Sequence, residues 1–66
     1  MNAKKIGNRL RELRGELPVE YVAKALNVAV STVYMWETGG RIPRDEMKMK
    51  IATLFKSSVD DIFFKP

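Results

Sequence analysis

The chain has 66 residues, of which 45% are hydrophobic and 30% charged, and its formal net charge is +4 at pH 7. This balance is typical of one small globular domain and excludes a disordered chain, and no segment approaches the about 20 apolar residues of a membrane span. Neither Cys nor His is present, which excludes disulfides, thiolate nucleophiles and zinc–thiolate sites and removes the commonest metal ligand and general base. We therefore predict a protein without enzymatic activity, metal, cofactor or small-molecule ligand. Because no apolar block follows the basic N-terminus, we predict no secretory signal and a cytoplasmic location.

The first predicted helix, helix 1, covers residues 3–14, with Asn2 as its N-cap. Its inward-facing side chains recur at spacings of four and three residues and are Ile6, Leu10 and Leu13. Gly15 ends this helix. Pro18 fits the first turn of the next helix because an N–H group there has no partner within the helix.

Residues 19–38 show the pattern of two short helices joined by a tight turn, with helix 2 over 18–26 and helix 3 over 30–38. The apolar positions that hold these helices together are Val22, Leu26, Val28, Val33 and Trp36. Ala23 is small enough for helix 3 to cross close over it, and Asn27 tolerates the left-handed backbone that ends a helix. The pattern predicts a helix-turn-helix, whose second helix enters the major groove of DNA.

The C-terminal third of the chain predicts two more helical segments. Gly39 and Gly40 end helix 3, and helix 4 follows over residues 45–55. Its inner face is formed by Met47, Ile51, Leu54 and Phe55. A last turn over residues 59–63 begins at Ser58 with a variant of the capping box.

We therefore predict an all-α fold, a compact five-helix bundle that forms a single domain over residues 1–66. Ile62 and one of the two neighbouring aromatic residues, Phe63 and Phe64, are expected to close its core. The other aromatic side chain is expected either to be exposed in a dimer contact or to fold onto its own domain.

Several segments of the chain carry a resemblance to a known family. They are IGNRLRELR (6–14), AKALNV (23–28), STVYMWETG (31–39), KIATLF (50–55) and SVDDIF (58–63). In this order they resemble the phage-repressor family of helix-turn-helix proteins, which includes lambda repressor and Cro-like proteins. The resemblance implies a DNA-binding regulator of transcription, commonly a repressor of bacterial or phage origin that binds palindromic double-stranded DNA as a homodimer.

The resemblance also implies roles for individual residues. The opening residues of helix 3 and one residue a turn later would face base edges; they are Val30, Ser31 and Met35, flanked by Tyr34 and Thr38. An arginine near the end of helix 1 would form a structural ion pair with the glutamate after the helix 3 aromatic residue, here Arg14 with Glu37. Glu37 is therefore not expected to be catalytic.

The chain departs from the family pattern at positions that matter for DNA contact. Val19 stands where a glutamine often contacts phosphate, and Ala29 replaces the usual Ser or Thr N-cap of helix 3, at a cost of about 1 kcal/mol. The connection between helices 1 and 2 is also shorter than is common. Helix 3 has no Lys or Arg before Arg41, so no arginine of this helix can read guanine.

Base reading would then depend on other contacts. Ser31 and Thr32 can donate or accept hydrogen bonds, and Val30 and Met35 can pack against thymine methyl groups. This combination predicts a half-site that is rich in A·T pairs. The alternative is that Val30 and Met35 fill the gap between helices or contact a protein partner.

Phosphate contacts are expected mainly from Arg41 and Arg44, on the loop after helix 3, with Lys24 and Arg9 as lesser candidates. A basic domain suits a polyanion because each phosphate contact releases condensed counterions. Each cation can equally be a solvated surface charge. The alternative to DNA binding is a protein-interaction module on the same scaffold, such as an antitoxin-like component or a regulator's partner subunit.

Overall fold

The computed structural model describes residues 1–65; Pro66, the last residue of the predicted domain, lies outside them. The described residues form five helices and no strand: α1 (Ala3–Arg14), α2 (Val19–Leu26), α3 (Val30–Glu37), α4 (Asp45–Leu54) and α5 (Asp60–Phe64). The last of these is a single π-helical turn. The prediction of an all-α, compact five-helix fold is confirmed. Across the described residues, no helix has the length and the apolar character needed to cross a membrane.

Local sequence signals set the ends of α1. The side chain of Asn2 accepts a hydrogen bond from the Lys5 N–H at 3.0 Å, which makes Asn2 the N-cap as predicted. Gly15 follows the last helical residue with φ 55°, and its N–H donates to the Arg11 carbonyl. This positive φ costs glycine little, so the helix ends where the sequence predicts.

Five of the other helix bounds differ from the prediction by one residue, whereas the end of α2 at Leu26 and the starts of α3 at Val30 and α4 at Asp45 are as predicted. Pro18 is not in the first turn of α2: it is extended, with φ −62° and ψ 144°, and its carbonyl accepts the N–H of Tyr21 at 3.0 Å. Thr38 and Phe55 are C-caps rather than the last residues of α3 and α4. The final turn runs to Phe64 instead of ending at residue 63.

The turn between α2 and α3 is made by Asn27 and Val28. Asn27 has φ 57° and ψ 47°, the left-handed conformation predicted for it. The Ala23 carbonyl accepts the N–H of Asn27 and also that of Val28, the latter at 2.9 Å, and these bonds close the end of α2. The turn therefore fixes the direction in which α3 leaves α2.

The core lies between all five helices. Its buried hydrophobic residues are Ile6, Leu10, Val19, Val22, Ala23, Leu26, Val33, Trp36, Ile51, Ala52, Ile62 and Phe63. Leu13, which the sequence places in the buried stripe of α1, is only partly buried against this cluster. Ile62 and Phe63 are the C-terminal residues that close the core, whereas Phe64 is 60% exposed.

Close backbone contact joins α1 to α3 at Gly7. A Cβ atom at this buried position would lie 2.5 Å from the Glu37 carbonyl oxygen and 2.6 Å from that of Trp36. These distances are shorter than any ordinary van der Waals contact, so only glycine fits here. The contact presses the C-terminal half of α3 against α1 and leaves the opposite face of α3 outward.

Candidate nucleic-acid interface

The outward face of α3 consists of side chains without charge. Ser31 is exposed, Tyr34 is 50% exposed and Met35 is 41% exposed, while Val33 and Trp36 on the opposite face are buried. The two sets alternate with the periodicity of a helix. The buried pair holds α3 against the core, and the exposed set is displayed on a helix of eight residues.

Two of the predicted base-facing residues are less accessible than the others. Val30 is half-buried and packs against the core, which favours the alternative in which it fills the space between helices. Thr32 is also half-buried, and it faces the loop that follows α3. Of the two apolar residues at predicted base-facing positions, Met35 is therefore the one that is exposed and accessible to a ligand.

Thr38 lies at the C-terminal end of α3. Its hydroxyl donates to the Tyr34 carbonyl at 2.8 Å, so the hydroxyl proton is used within α3. The side chain is exposed, and its oxygen lone pairs can still accept a hydrogen bond. Thr38 can thus accept from a base or another donor, but its donor capacity already serves the helix end.

The N-terminal end of α3 has no side-chain cap. Ala29 is extended, with φ −73° and ψ 151°, and within the described residues no side chain bonds the first N–H groups of the helix. The Ala29 carbonyl accepts the Thr32 N–H at 3.0 Å, which starts the helix through the backbone alone. The consequence of alanine at this position is that α3 is held mainly by its core contacts and by its C-terminal half.

A basic groove of about 260 Å³ lies between α3, the following loop and the start of α4. It is lined by Val28, Thr32, Trp36, Arg41, Ile42, Pro43, Arg44, Glu46, Met47 and Lys50. Both Arg41 and Arg44 are exposed, so the structure brings two of the predicted phosphate contacts together with Thr32. Three cations and one carboxylate give this groove a positive charge.

Lys50 is a cation of the groove that the sequence analysis missed. It is exposed and lies four residues after Glu46 on α4, and both side chains line the same groove. The helical spacing of four was the available signal, because residues four apart share one helix face. The spacing alone does not show that Lys50 lies near α3, because that depends on how α4 packs relative to α3.

The remaining predicted phosphate contacts lie elsewhere among the described residues. Arg9 is half-buried on α1, and Lys24 is exposed on α2. Neither of these two side chains lines the basic groove between α3 and α4. The structure thus separates Arg41 and Arg44 from the two lesser candidates.

Arg14 and Glu37, which the resemblance pairs, are joined by two hydrogen bonds. Arg14 Nε donates to Glu37 Oε2 at 2.7 Å, and Arg14 Nη2 donates to Glu37 Oε1 at 3.1 Å. The two side chains are only 12% and 7% exposed. The hydrogen bond to Glu37 raises the pKa of Arg14, despite the opposing effect of burial.

The Arg14 guanidinium has a further partner that extends its role. Arg14 Nη1 donates to the Leu17 carbonyl at 2.9 Å, so one side chain links the end of α1, the loop before α2 and the end of α3. Both carboxylate oxygens of Glu37 accept from Arg14. The pair therefore fixes the C-terminal end of α3 to α1 and to the loop before α2.

Lys48 is a second residue that the sequence analysis did not single out. It is only 8% exposed on α4, and its Nζ lies 3.3 Å from the Asp45 carboxylate. The same ammonium lies 5.8 Å from the ring centre of Phe63 and 5.6 Å from that of Phe64, within the range of cation–π attraction. The Phe64 ring thus rests beside α4 but keeps most of its surface open.

In this structure α2 and α3 are joined by a tight turn, one face of α3 packs against the core, and the opposite face is exposed. The comparison with known families agrees with this geometry. The family model for helix-turn-helix domains matches residues 9–62. This span contains α2, α3 and α4 in full and both partners of the Arg14–Glu37 pair. No match was found among curated proteins or among solved structures. The chain therefore belongs to the lambda repressor and Cro-like helix-turn-helix family, a family of DNA-binding regulators of transcription.

Proposed function

We propose that this chain is a sequence-specific repressor of transcription of bacterial or phage origin. It inserts α3 into the major groove of a palindromic operator and binds there as a homodimer. Residues 1–66 act as one DNA-binding domain in the cytoplasm, without catalysis or a cofactor. The observation that carries the proposal is the uncharged, exposed face of Ser31, Tyr34 and Met35 beside the basic groove.

The dimensions of α3 support this placement. An α-helix with its side chains is about 10–12 Å in diameter, and the major groove of B-DNA is about 12 Å wide, so the exposed side of α3 fits the groove. With α3 in the major groove of the DNA, the loop that carries Arg41 and Arg44 lies beside that groove, where a phosphate backbone would run. Phosphate contacts of this kind orient the protein and supply much of the affinity, whereas side chains on α3 choose the sequence.

Selection from a pool of random duplexes tests the proposal. At low and at moderate salt, the protein is expected to enrich one palindromic motif whose half-sites are centred about 34 Å apart. Retention of no duplex at low salt would contradict DNA binding. It would favour the alternative function, a protein-interaction module, for which the exposed Tyr34 and Met35 and the lack of cations on α3 are the supporting observations.

Replacing Arg41 by Ala is expected to weaken binding about equally on specific and random duplexes. A variant that makes one phosphate contact fewer releases about one counterion fewer on binding. The magnitude of the slope of log affinity against log salt concentration should therefore decrease by about one. Titrations at several salt concentrations measure this slope. The control is Lys65→Ala, which removes the same charge beside Asp60 on α5, where Nζ lies 3.0 Å from a carboxylate oxygen. If the slope for Arg41→Ala equals that of the parent, Arg41 does not contact phosphate.

Replacing Phe64 by Ser is expected to shift the protein from dimer to monomer, because the proposed two-fold contact buries the exposed face of this ring. Phe64 is 60% exposed, and aromatic side chains are enriched at protein–protein interfaces relative to the rest of the surface. Sedimentation equilibrium of parent and variant measures the change. Tyr21→Ser removes an aromatic side chain of similar exposure, 54%, from α2 and should leave the assembly unchanged. Equal association of the parent and Phe64→Ser would remove α5 from the dimer contact.

A further inference from the structure

The exposed face of α3 lacks the side chains that usually read purines. Arginine or lysine reads guanine, and asparagine or glutamine reads adenine, through pairs of hydrogen bonds in the major groove. The described residues of α3 include none of these four types. Ser31 and Tyr34 supply hydroxyl groups, and the Thr38 hydroxyl already donates within the helix. Hydrogen bonding alone therefore gives this face little ability to distinguish base pairs.

Met35 is an exposed apolar residue of this face. Its side chain packs against the turn that follows α3. A Cβ atom at Gly40 would lie 3.1 Å from the Met35 methyl carbon and 3.3 Å from its sulfur. The bare Gly40 backbone thus leaves the space in which the thioether rests. Met35 is 41% exposed, so its outer side is free to contact a ligand while its inner side is held.

The same turn ties Met35 to Arg41. The Met35 carbonyl accepts the N–H of Gly40 at 2.8 Å and the N–H of Arg41 at 3.2 Å. The backbone of Met35 and the backbone of Arg41 therefore keep a fixed relation to each other. A contact of Arg41 with phosphate would therefore determine how deeply Met35 enters the major groove of the DNA.

We propose that Met35 determines sequence preference by packing its thioether against the 5-methyl group of thymine, and that Gly40 is the positioning residue for Met35. This inference rests on the proposed function and adds the chemical feature of DNA that α3 reads. Thymine is the base whose major-groove edge presents a methyl group, and an apolar side chain is the complementary surface. The polarizable, flexible thioether of methionine adapts well to such a contact.

The test uses the duplex obtained by selection, with each thymine in the segment facing α3 replaced by deoxyuridine. The parent protein is expected to lose about fourfold in affinity for each methyl group that it contacts, since burial of one methylene-sized group is worth about 0.8 kcal/mol. Met35→Ala is expected to bind the thymine and uracil duplexes equally. Met49→Ala, which removes a methionine of α4 that is 59% exposed, should discriminate as the parent does.

Gly40→Ala tests the positioning role separately. Gly40 does not have a positive φ, so alanine is compatible with its backbone, and the added methyl must displace the flexible end of Met35 by a few tenths of an ångström. The ratio of thymine to uracil affinity is expected to change, while the urea midpoint of unfolding stays at or slightly above that of the parent. A ratio equal to that of the parent would remove Gly40 from the proposal.

The outcomes distinguish failure of DNA binding from failure of the contact between Met35 and thymine. If no duplex is retained, the proposed function fails and the inference fails with it. If a motif is selected but uracil substitution leaves the affinity of the parent unchanged, or Met35→Ala loses affinity on uracil as the parent does, the function stands and the inference fails. Selection of a half-site without thymine opposite α3 would also overturn it.

Discussion

Gly7→Ala is expected to lower the free energy of unfolding by about 3 kcal/mol, at the upper end of the usual cost of overpacking a core. The added Cβ atom would lie 2.5 Å from the Glu37 carbonyl oxygen and 2.6 Å from that of Trp36. Both of these atoms belong to the backbone, so no side chain can rotate away and α1 must separate from α3. Domains of this size are stabilised by on the order of 5 kcal/mol, and the loss would be more than half of that.

Urea unfolding followed by circular dichroism measures this effect. Asn8→Ala is the matched control, because Asn8 is the exposed neighbour of Gly7 on the same helix. Its substitution should change the free energy of unfolding by less than about 0.5 kcal/mol. A loss below about 0.5 kcal/mol for Gly7→Ala would show that α1 and α3 are not in backbone contact. Affinity for DNA should fall with Gly7→Ala, since this contact sets the orientation of α3.

Glu37→Ala is expected to cost about 2–3 kcal/mol of stability. The substitution removes the two carboxylate acceptors of the Arg14 guanidinium and leaves it only the Leu17 carbonyl, and the Arg14 side chain, which is only 12% exposed, cannot regain full hydration. The uncompensated charge is therefore the main source of the loss, and the lost attraction is a smaller part. Denaturant unfolding of the single variant measures the cost.

The double variant Arg14→Met with Glu37→Leu separates these two contributions. It removes the unpaired charge and fills the space with apolar side chains of similar size, so it should recover much of the stability lost in Glu37→Ala. A double-mutant cycle with Arg14→Met and Glu37→Leu as the single variants then gives the coupling energy of the pair. Strictly additive single effects would contradict a direct interaction between the two side chains. The exposed pair of Lys65 and Asp60 is the control, and breaking it should shift the unfolding midpoint very little.

Local signals explain why much of the fold could be predicted from the sequence. Asn2 and Gly15 cap α1 through contacts within a few residues, so the bounds of that helix follow from the sequence directly. The left-handed conformation of Asn27 is local in the same way. The capping interaction at Ser58 is also local, with Ser58 Oγ accepting the Asp61 N–H at 3.0 Å.

Features that depend on distant parts of the chain were not predictable. The side chain of Lys48 lies beside the rings of Phe63 and Phe64 and the sulfur of Met1, and helix periodicity says nothing about that convergence. The partial burial of Val30 depends on how close α3 lies to the core. For the candidate site, the residue types on α3 could be named from the sequence. The groove shared by Arg41 and Lys50 required the packing of α4 beside the loop.

The alanine before α3 has a consequence for how that helix moves. The two ends of α3 are restrained unequally: Ala29 offers no side-chain cap, whereas Glu37 is clamped to Arg14. Opening of backbone hydrogen bonds should therefore begin at Thr32, whose N–H donates the first backbone hydrogen bond of α3, and become progressively rarer toward Trp36, a gradient that amide hydrogen exchange records residue by residue. The N-terminal end of α3 can therefore adjust to small variations in the shape of a DNA duplex, while the C-terminal end stays fixed to the rest of the domain.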